Sequence, residues 1–138
     1  LLKGIPEEWL FNEILAGRSL HICNKEYKFF SSSIVAGHLP IALGVALAIK
    51  RAGGDERVHV FLGDSAARCG LFWEFLSYCD GHKLPVRVIV EDNGMSVTTP
   101  TEVAWGGKVV WRATNIEVVH YEYVATEAHC GVGTWVEF

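Results

Sequence analysis

The sequence predicts an α/β fold of three layers around a mainly parallel sheet. Two apolar runs, residues 58–62 and 86–90, have the length of buried strands, and a segment with helical spacing lies between them. Apolar runs of this kind are typical of parallel strands that are buried on both faces. Neighbouring parallel strands need a crossover connection, which is right-handed in nearly all proteins. We therefore predict a β-α-β unit whose helix covers residues 70–80.

Two helices are predicted before the first of these strands. Residues 6–8, Pro-Glu-Glu, favour a helix start, because proline suits the first turn and acids suit the positive end of the helix dipole. Gly17 ends that helix, and residues 18–33 mix polar and aromatic types in a way that predicts a loop. Residues 39–52 predict a second helix, whose small residues favour close packing against its neighbours.

The remaining elements complete a single predicted domain over residues 1–138. The helix over residues 70–80 is amphipathic, and five of its side chains are expected to face inward: Leu71, Phe72, Phe75, Leu76 and Cys79. Residues 117–124 and 134–138 are rich in valine and aromatic residues and predict two further strands.

Composition excludes several classes of function. A net charge of −4 without any basic run argues against binding to nucleic acid or to an anionic membrane surface. The longest apolar stretch, residues 39–49, is much shorter than the roughly 20 residues that a spanning helix needs. Half of the residues are hydrophobic, so we expect a partner to cover part of the surface.

The cysteines and the N-terminus indicate a cytoplasmic location. No cationic start followed by an apolar core is visible, which predicts that there is no signal peptide. Four cysteines are scattered without a CxxC pair, at Cys23, Cys69, Cys79 and Cys130. This spacing predicts reduced, mostly buried thiols instead of a disulfide framework or a zinc site.

The candidate chemistry lies where the two central strands end. Asp64 follows the first apolar run and Asn93 follows the second, so both are expected at the same edge of the sheet. Gly63 allows the backbone to approach a ligand closely, and Gly94 leaves the Met95 carbonyl able to turn inward. Oxygen ligands of this kind suit Mg²⁺ bound to a phosphorylated ligand. The sequence therefore predicts a magnesium and diphosphate site at this edge.

At these positions the chain resembles a known family. Gly63–Asp64–Ser65, followed after 27 residues by Asn93, is similar to the Gly-Asp-Gly…Asn motif of thiamine diphosphate enzymes. The match extends over roughly residues 14–99 and includes Ser-Ser-Ser-Ile-Val-Ala-Gly-His-Leu-Pro at residues 31–40. Together these residues resemble the alpha subunit of the decarboxylase component of 2-oxo acid dehydrogenases, of the pyruvate and acetoin types. The resemblance implies the diphosphate-binding half of the thiamine diphosphate-binding fold.

The resemblance also implies roles for individual residues. Asp64, Asn93 and the Met95 carbonyl would bind Mg²⁺. The remaining implied positions are Gly63, Ser65 and Ala66 at the diphosphate, Ser33 and Val35 at the aminopyrimidine ring, and Glu74 as structural support. His38 would lie at the thiazolium side as a catalytic residue, or would be an ordinary loop histidine packed beside Pro40.

Departures from the family pattern bear on activity. Ser65 replaces the last glycine of the motif, and Arg68–Cys69 stands where polar or acidic residues are usual. The family also has a pyrimidine-binding domain and a histidine-bearing loop, and we expect that residues 1–138 supply neither. The resemblance therefore implies that decarboxylation of a small 2-oxo acid requires a pyrimidine-domain, beta-type subunit or a homo-oligomer.

Two other functions stay open. The chain could be a non-catalytic relative that keeps the fold and serves as a structural or regulatory partner. An unrelated doubly wound domain that binds a nucleotide or accepts a phosphoryl group at Asp64 is a weaker alternative. A receiver-type domain would carry an early acidic pair and a late lysine at a strand end, and neither is found.

Other chemically reactive residues have simpler interpretations. His129 beside Cys130 lacks an acid that would orient a nucleophile pair. His120 alternates with tyrosines, which is typical of one face of a strand. Three tryptophans are interpreted as interface or core residues: Trp105, Trp111 and Trp135.

Overall fold

The computed structural model describes residues 3–18 and 21–124. The chain divides into two compact units, one ending at His38 and the other beginning at Leu39. Among the helices in the described ranges, none has the length and apolar character needed to cross a lipid bilayer.

The first unit contains a helix and a small hairpin. Helix α1 covers Glu7–Leu15, as the proline and the two acids predict. The predicted loop that follows contains two short strands, β1 at Cys23–Asn24 and β2 at Phe29–Phe30, which pair antiparallel. The loop prediction is wrong for these four residues, because a two-residue strand is too short to show an alternating pattern.

The second unit is an α/β domain with a parallel sheet, which confirms the predicted α/β class and mainly parallel sheet. Its main elements are α2 at Leu39–Ala52, β3 at Val58–Gly63, a 3₁₀ turn at Ala66–Arg68, α3 at Gly70–Gly81 and β4 at Val86–Asp92. They continue with a hairpin of β5 at Met95–Ser96 and β6 at Thr99–Pro100, a short helix α4 at Thr101–Trp105, and β7 at Glu117–Glu122. The sheet order is β3-β4-β7, and both strand pairs are parallel.

Helix α3 supplies much of the core of this unit. Phe72, Phe75, Leu76 and Cys79 are buried, as the amphipathic pattern predicts. Leu71 is 37% exposed, so its predicted inward position is wrong. Helix α3 contacts α2. Of the small residues of α2, Ala46 is buried, whereas Gly44 and Ala48 are exposed.

The thiols differ in their environment. Burial raises the pKa of the Cys79 thiol to about 11, so this thiol stays protonated and inert at neutral pH. Cys23 is exposed, and the prediction of a buried thiol is wrong there. Cys130 lies outside the described residues.

The two faces of the sheet differ. Val60 and Leu62 of β3 are buried, whereas Phe61 between them is 57% exposed. The predicted burial of β3 on both faces is therefore wrong for this chain. Phe61 is in register with Ile89 of β4, which is in register with Val119 of β7, so the open face carries an apolar row.

The carboxylate of Asp80 connects α3 to β7. Its Oδ1 accepts hydrogen bonds from three successive backbone N–H groups, those of Thr114 at 2.8 Å, Asn115 at 2.5 Å and Ile116 at 3.2 Å. These bonds fix the turn that precedes β7, and β7 then pairs with β4. The predicted strand over residues 134–138 lies outside the described residues.

Candidate functional site

The register of the parallel sheet brings three carboxylates to one edge. Asp64 directly follows β3, and its N–H donates to the Glu91 carbonyl at 3.1 Å, which extends the β3–β4 ladder by one residue. Asp92 at the end of β4 is in register with Glu122 at the end of β7. Because side chains alternate along a strand, all three follow the buried face of the sheet. The carboxyl edge of the sheet is therefore strongly acidic.

A cavity of about 500 Å³ opens at this edge. Residues from both central strands and from the chain beyond them line it, including Asp64, Asp92, Asn93, Thr101, His120 and Glu122. Asp64 and Asn93 thus line the same cavity. That they share a ligand stays a prediction.

Asp64 is a buried carboxylate, only 3% exposed. Burial raises its pKa, and the neighbouring Asp92 carboxylate adds to that effect. The Thr101 hydroxyl and the Ser65 N–H oppose the rise. Among the described residues no basic side chain forms an ion pair with Asp64. A buried carboxylate without a positive partner fits a site for a cation.

Thr101 is a second buried polar residue, and it lies beside Asp64. It is 3% exposed and begins α4, and its backbone N–H donates to the Gly94 carbonyl at 2.9 Å. Its hydroxyl lies close enough to lower the pKa of Asp64, yet it makes no hydrogen bond of standard geometry. Thr101 could not be predicted from the sequence, because nothing local indicates that this residue returns to the sheet edge.

Asp92 is paired with a histidine from the next strand. His120 Nε2 lies 2.7 Å from Asp92 Oδ2. Although partial burial alone would raise the pKa of Asp92, the hydrogen bond with His120 and the Gly94 N–H, at 2.8 Å, hold it below the ordinary value. The interpretation of His120 as a plain strand residue is therefore incomplete. The β4–β7 register would have revealed the pairing, since Val90 and His120 are partners.

The ring of His120 is held against Trp111. The two rings meet edge to face, with centroids 5.1 Å apart. Trp111 is buried, which confirms its interpretation as a core residue, and its indole N–H donates to the Ala67 carbonyl at 2.8 Å. Asp92, His120 and Glu122 offer oxygen and nitrogen atoms that all lie within 4.8 Å of one another, a spacing that could hold a metal ion.

Asn93 and Met95 form the turn beyond β4. Asn93 Oδ1 accepts the Met95 N–H at 3.0 Å, and Gly94 between them has a φ of +70°, which favours glycine. This turn occupies the Met95 N–H but not its carbonyl. The predicted ligand roles of Asn93 and of the Met95 carbonyl stay predictions.

Ser65 and Ala66, the predicted diphosphate contacts, lie in the connection between β3 and α3. The segment after Asp64 forms the 3₁₀ turn at Ala66–Arg68, and α3 begins only at Gly70, so the helix does not follow Asp64 directly. Ser65 Oγ accepts the indole N–H of Trp105 at 3.1 Å. Trp105 is 48% exposed, so it covers the loop from the solvent side.

Three predicted cofactor residues belong to the first compact unit: Ser33, Val35 and His38. The Ser33 hydroxyl lies 3.3 Å from His21 Nε2, and Val35 is 69% exposed. Their roles toward a cofactor stay predictions. The pair His129–Cys130 and Trp135 lie outside the described residues.

Fold and site together define an α/β domain with an acidic cavity at the carboxyl ends of parallel strands. Residues 3–120 match the family of the dehydrogenase E1 component. The chain belongs to this family, and the predicted resemblance is confirmed.

Two kinds of enzyme are among the proteins that the chain is similar to. The chain is 34% identical over 104 residues to a 1-deoxy-D-xylulose-5-phosphate synthase of Campylobacter hominis, which covers 72% of this chain and 17% of that protein. It is 34% identical over 109 residues to the pyruvate dehydrogenase E1 component subunit alpha of Rickettsia typhi, covering 72% of this chain and 33% of that subunit. The chain thus spans a third or less of the curated relatives that it matches.

A solved structure supports the fold. The X-ray structure of a candidate thiamin diphosphate-dependent enzyme from Mycobacterium smegmatis superposes with a TM-score of 0.52 at 17% identity. The match covers 71% of this chain and 24% of that one. At this identity the likeness concerns the fold alone.

Proposed function

We propose that this chain is the diphosphate-binding part of a thiamine diphosphate-dependent enzyme that decarboxylates a 2-oxo acid. The observation that carries the proposal is the buried Asp64 carboxylate, which lines one cavity with Asn93 and has no basic partner among the described residues. Membership of the dehydrogenase E1 component family and the names of the relatives support the choice of cofactor and reaction.

The residues fit the cofactor and its metal. Asp64, Asn93 and the Met95 carbonyl would hold Mg²⁺, which prefers oxygen ligands and accepts phosphate oxygens among them. The backbone of Gly63, Ser65 and Ala66 would contact the diphosphate, and Ser33 and Val35 the aminopyrimidine ring. His38 would act near the reacting centre.

The protein and the cofactor have different tasks in this proposal. Thiamine diphosphate supplies the stabilisation of the carbanion that decarboxylation needs. The chain's own residues bind and orient the diphosphate end, and Thr101 and Trp111 help to exclude water from the carboxylates at the sheet edge. A pyrimidine-domain subunit or a second copy of the chain would complete the site.

The direct test is calorimetric titration of the chain with thiamine diphosphate in the presence of Mg²⁺. We expect binding that disappears in Asp64→Ala and weakens in Asn93→Ala. At a free ligand concentration of a hundred times Kd, the wild-type chain should gain about 2.7 kcal/mol of apparent stability.

A matched control is Asp55→Asn. Asp55 is exposed in the turn before β3, at the opposite end of that strand from Asp64. This variant should bind as the wild type does. Unchanged affinity in Asp64→Ala would refute the proposed metal and diphosphate site.

A further inference from the structure

Arg68 is a cation whose charge is not matched within the described part of the chain. It is half-buried and lines the same cavity as Asp64. Its Nε is buried and has no hydrogen-bond partner, and Arg68 forms no salt bridge with any acid that the structure describes. A partly buried guanidinium normally has a carboxylate or phosphate partner, since desolvation of an unpaired charge is costly.

The guanidinium is nevertheless held in place. Nη2 donates to the Gly107 carbonyl at 2.6 Å. The preceding backbone is fixed as well, because the Ala67 carbonyl accepts the indole N–H of the buried Trp111. These contacts orient Arg68 but leave its charge without a counter-ion, so they do not explain why a cation occupies this position.

The other charged residues of the cavity that form ion pairs do so with partners other than Arg68. Lys108 also lines the cavity, but it is 79% exposed and pairs with Glu102 at 3.3 Å. Asp92 is paired with His120. A ligand that presents a metal ion to Asp64 and an anionic oxygen to Arg68 would balance both uncompensated groups at once.

We infer that Arg68 binds a phosphate oxygen of the diphosphate, beside the metal held by Asp64; this inference rests on the proposed function. The guanidinium offers several N–H donors in a fixed plane, which matches the geometry of phosphate oxygens. Arg68 lies four residues after Asp64, at the end of the 3₁₀ turn, so one short loop would supply both the metal ligand and the anion ligand.

The test compares the full-length protein with its Arg68→Gln variant. Calorimetry would measure affinity for two probes in the presence of Mg²⁺, thiamine diphosphate and inorganic pyrophosphate. We expect both affinities to fall about tenfold to a hundredfold, as for loss of a charge-assisted hydrogen bond. Arg57→Gln removes the same charge from an exposed site at the start of β3 and should change either affinity by less than about twofold.

A second measurement uses the wild-type protein and does not depend on the folding of a variant. Phenylglyoxal modifies accessible arginines, and peptide mass spectrometry reports the extent at each position. Magnesium pyrophosphate should protect Arg68 and leave Arg57 as reactive as before.

The outcomes are distinct. Equal affinities of wild type and Arg68→Gln for both probes, or unprotected Arg68 in a protein saturated with pyrophosphate, would overturn the inference and leave the proposed function standing. If the protein binds magnesium pyrophosphate but does not bind thiamine diphosphate, the proposed cofactor is rejected. The pyrophosphate affinities of the wild type and Arg68→Gln would then still decide the role of Arg68. Failure to bind either probe would overturn both.

Discussion

Asp64 shows how a single residue can lower stability at a binding site. Its carboxylate is 3% exposed and faces a second acid, Asp92, so ionisation in the folded state is unfavourable. Stability and binding therefore make opposite demands on this residue, as is common where a site is built to receive a charged ligand.

We predict that Asp64→Asn stabilises the ligand-free chain at pH 7 while it removes binding of magnesium and thiamine diphosphate. Because the pKa of Asp64 is raised in the folded state, its ionised form destabilises the chain above that pKa and has no effect below the unfolded value. The gain at pH 7 should exceed the change in the exposed control variant and should shrink as the pH falls through the raised pKa.

Urea denaturation at several pH values measures this effect. Asp55→Asn, which neutralises an exposed acid, is the matched control and should stay within about 0.5 kcal/mol of the wild type. A ligand-free Asp64→Asn protein that is less stable than the wild type at pH 7 would contradict the prediction.

Some residues of the site are visible in the sequence and others are not. Asp64 and Asn93 could be predicted because each follows an apolar run, and the end of a parallel strand is a common ligand position. Asp92, Thr101 and His120 could not, because they reach the cavity through strand register and through the return of α4. These are contacts between segments far apart in sequence, which local patterns do not report.

At the scale of elements, the connection from α3 to β7 depends on one side chain. Asp80 lies near the end of α3 and accepts the backbone N–H groups that precede β7. The hydrogen bond from the Asn115 N–H lowers the pKa of Asp80, and those from the Thr114 and Ile116 N–H groups lower it further. Slight desolvation of the carboxylate opposes this effect. The ionised carboxylate thus stabilises the docking of β7 beside β4.

We predict that Asp80→Asn lowers the urea midpoint at pH 7. A carboxylate whose folded pKa is depressed contributes stability above its unfolded pKa, about 3.9, and loses that contribution as the pH falls through the folded value. The difference between variant and wild type should therefore vanish in acid. Hydrogen exchange should also show faster opening of β7 in the variant.

Ser77→Ala provides the comparison for this experiment. Ser77 is exposed on the same helix, and its replacement should leave both the midpoint and the exchange of β7 nearly unchanged. A pH-independent loss in Asp80→Asn would show that the carboxylate charge is not the cause.

Long elements were predictable and short ones were not. The bounds of α2 agree with the prediction, and β3, α3 and β4 differ from it by one or two residues. The hairpins and α4 were missed, since elements of two to five residues carry too little periodicity to be recognised.

At the scale of the whole molecule, the sheet of the second unit has an exposed face within the part of the chain that the structure describes. Phe61, Ile89 and Val119 form an apolar row across three strands, and Phe61 is 57% exposed. The apolar content of the strands predicts burial on both faces. It does not indicate which segment covers each face. The relatives are at least three times as long as the part of them that the chain matches.

We predict that the 138-residue chain alone binds thiamine diphosphate weakly and does not decarboxylate 2-oxo acids. The half of the site that would activate the aminopyrimidine has no counterpart among the described residues, and only its addition should give turnover. Release of carbon dioxide from labelled pyruvate would be measured for the chain, for a pyrimidine-domain subunit and for their mixture. The mixture should be active and should lose activity when the chain carries Asp64→Ala. Turnover by the chain alone would refute the need for a partner, whereas an inactive mixture that still binds the cofactor would favour the non-catalytic alternative.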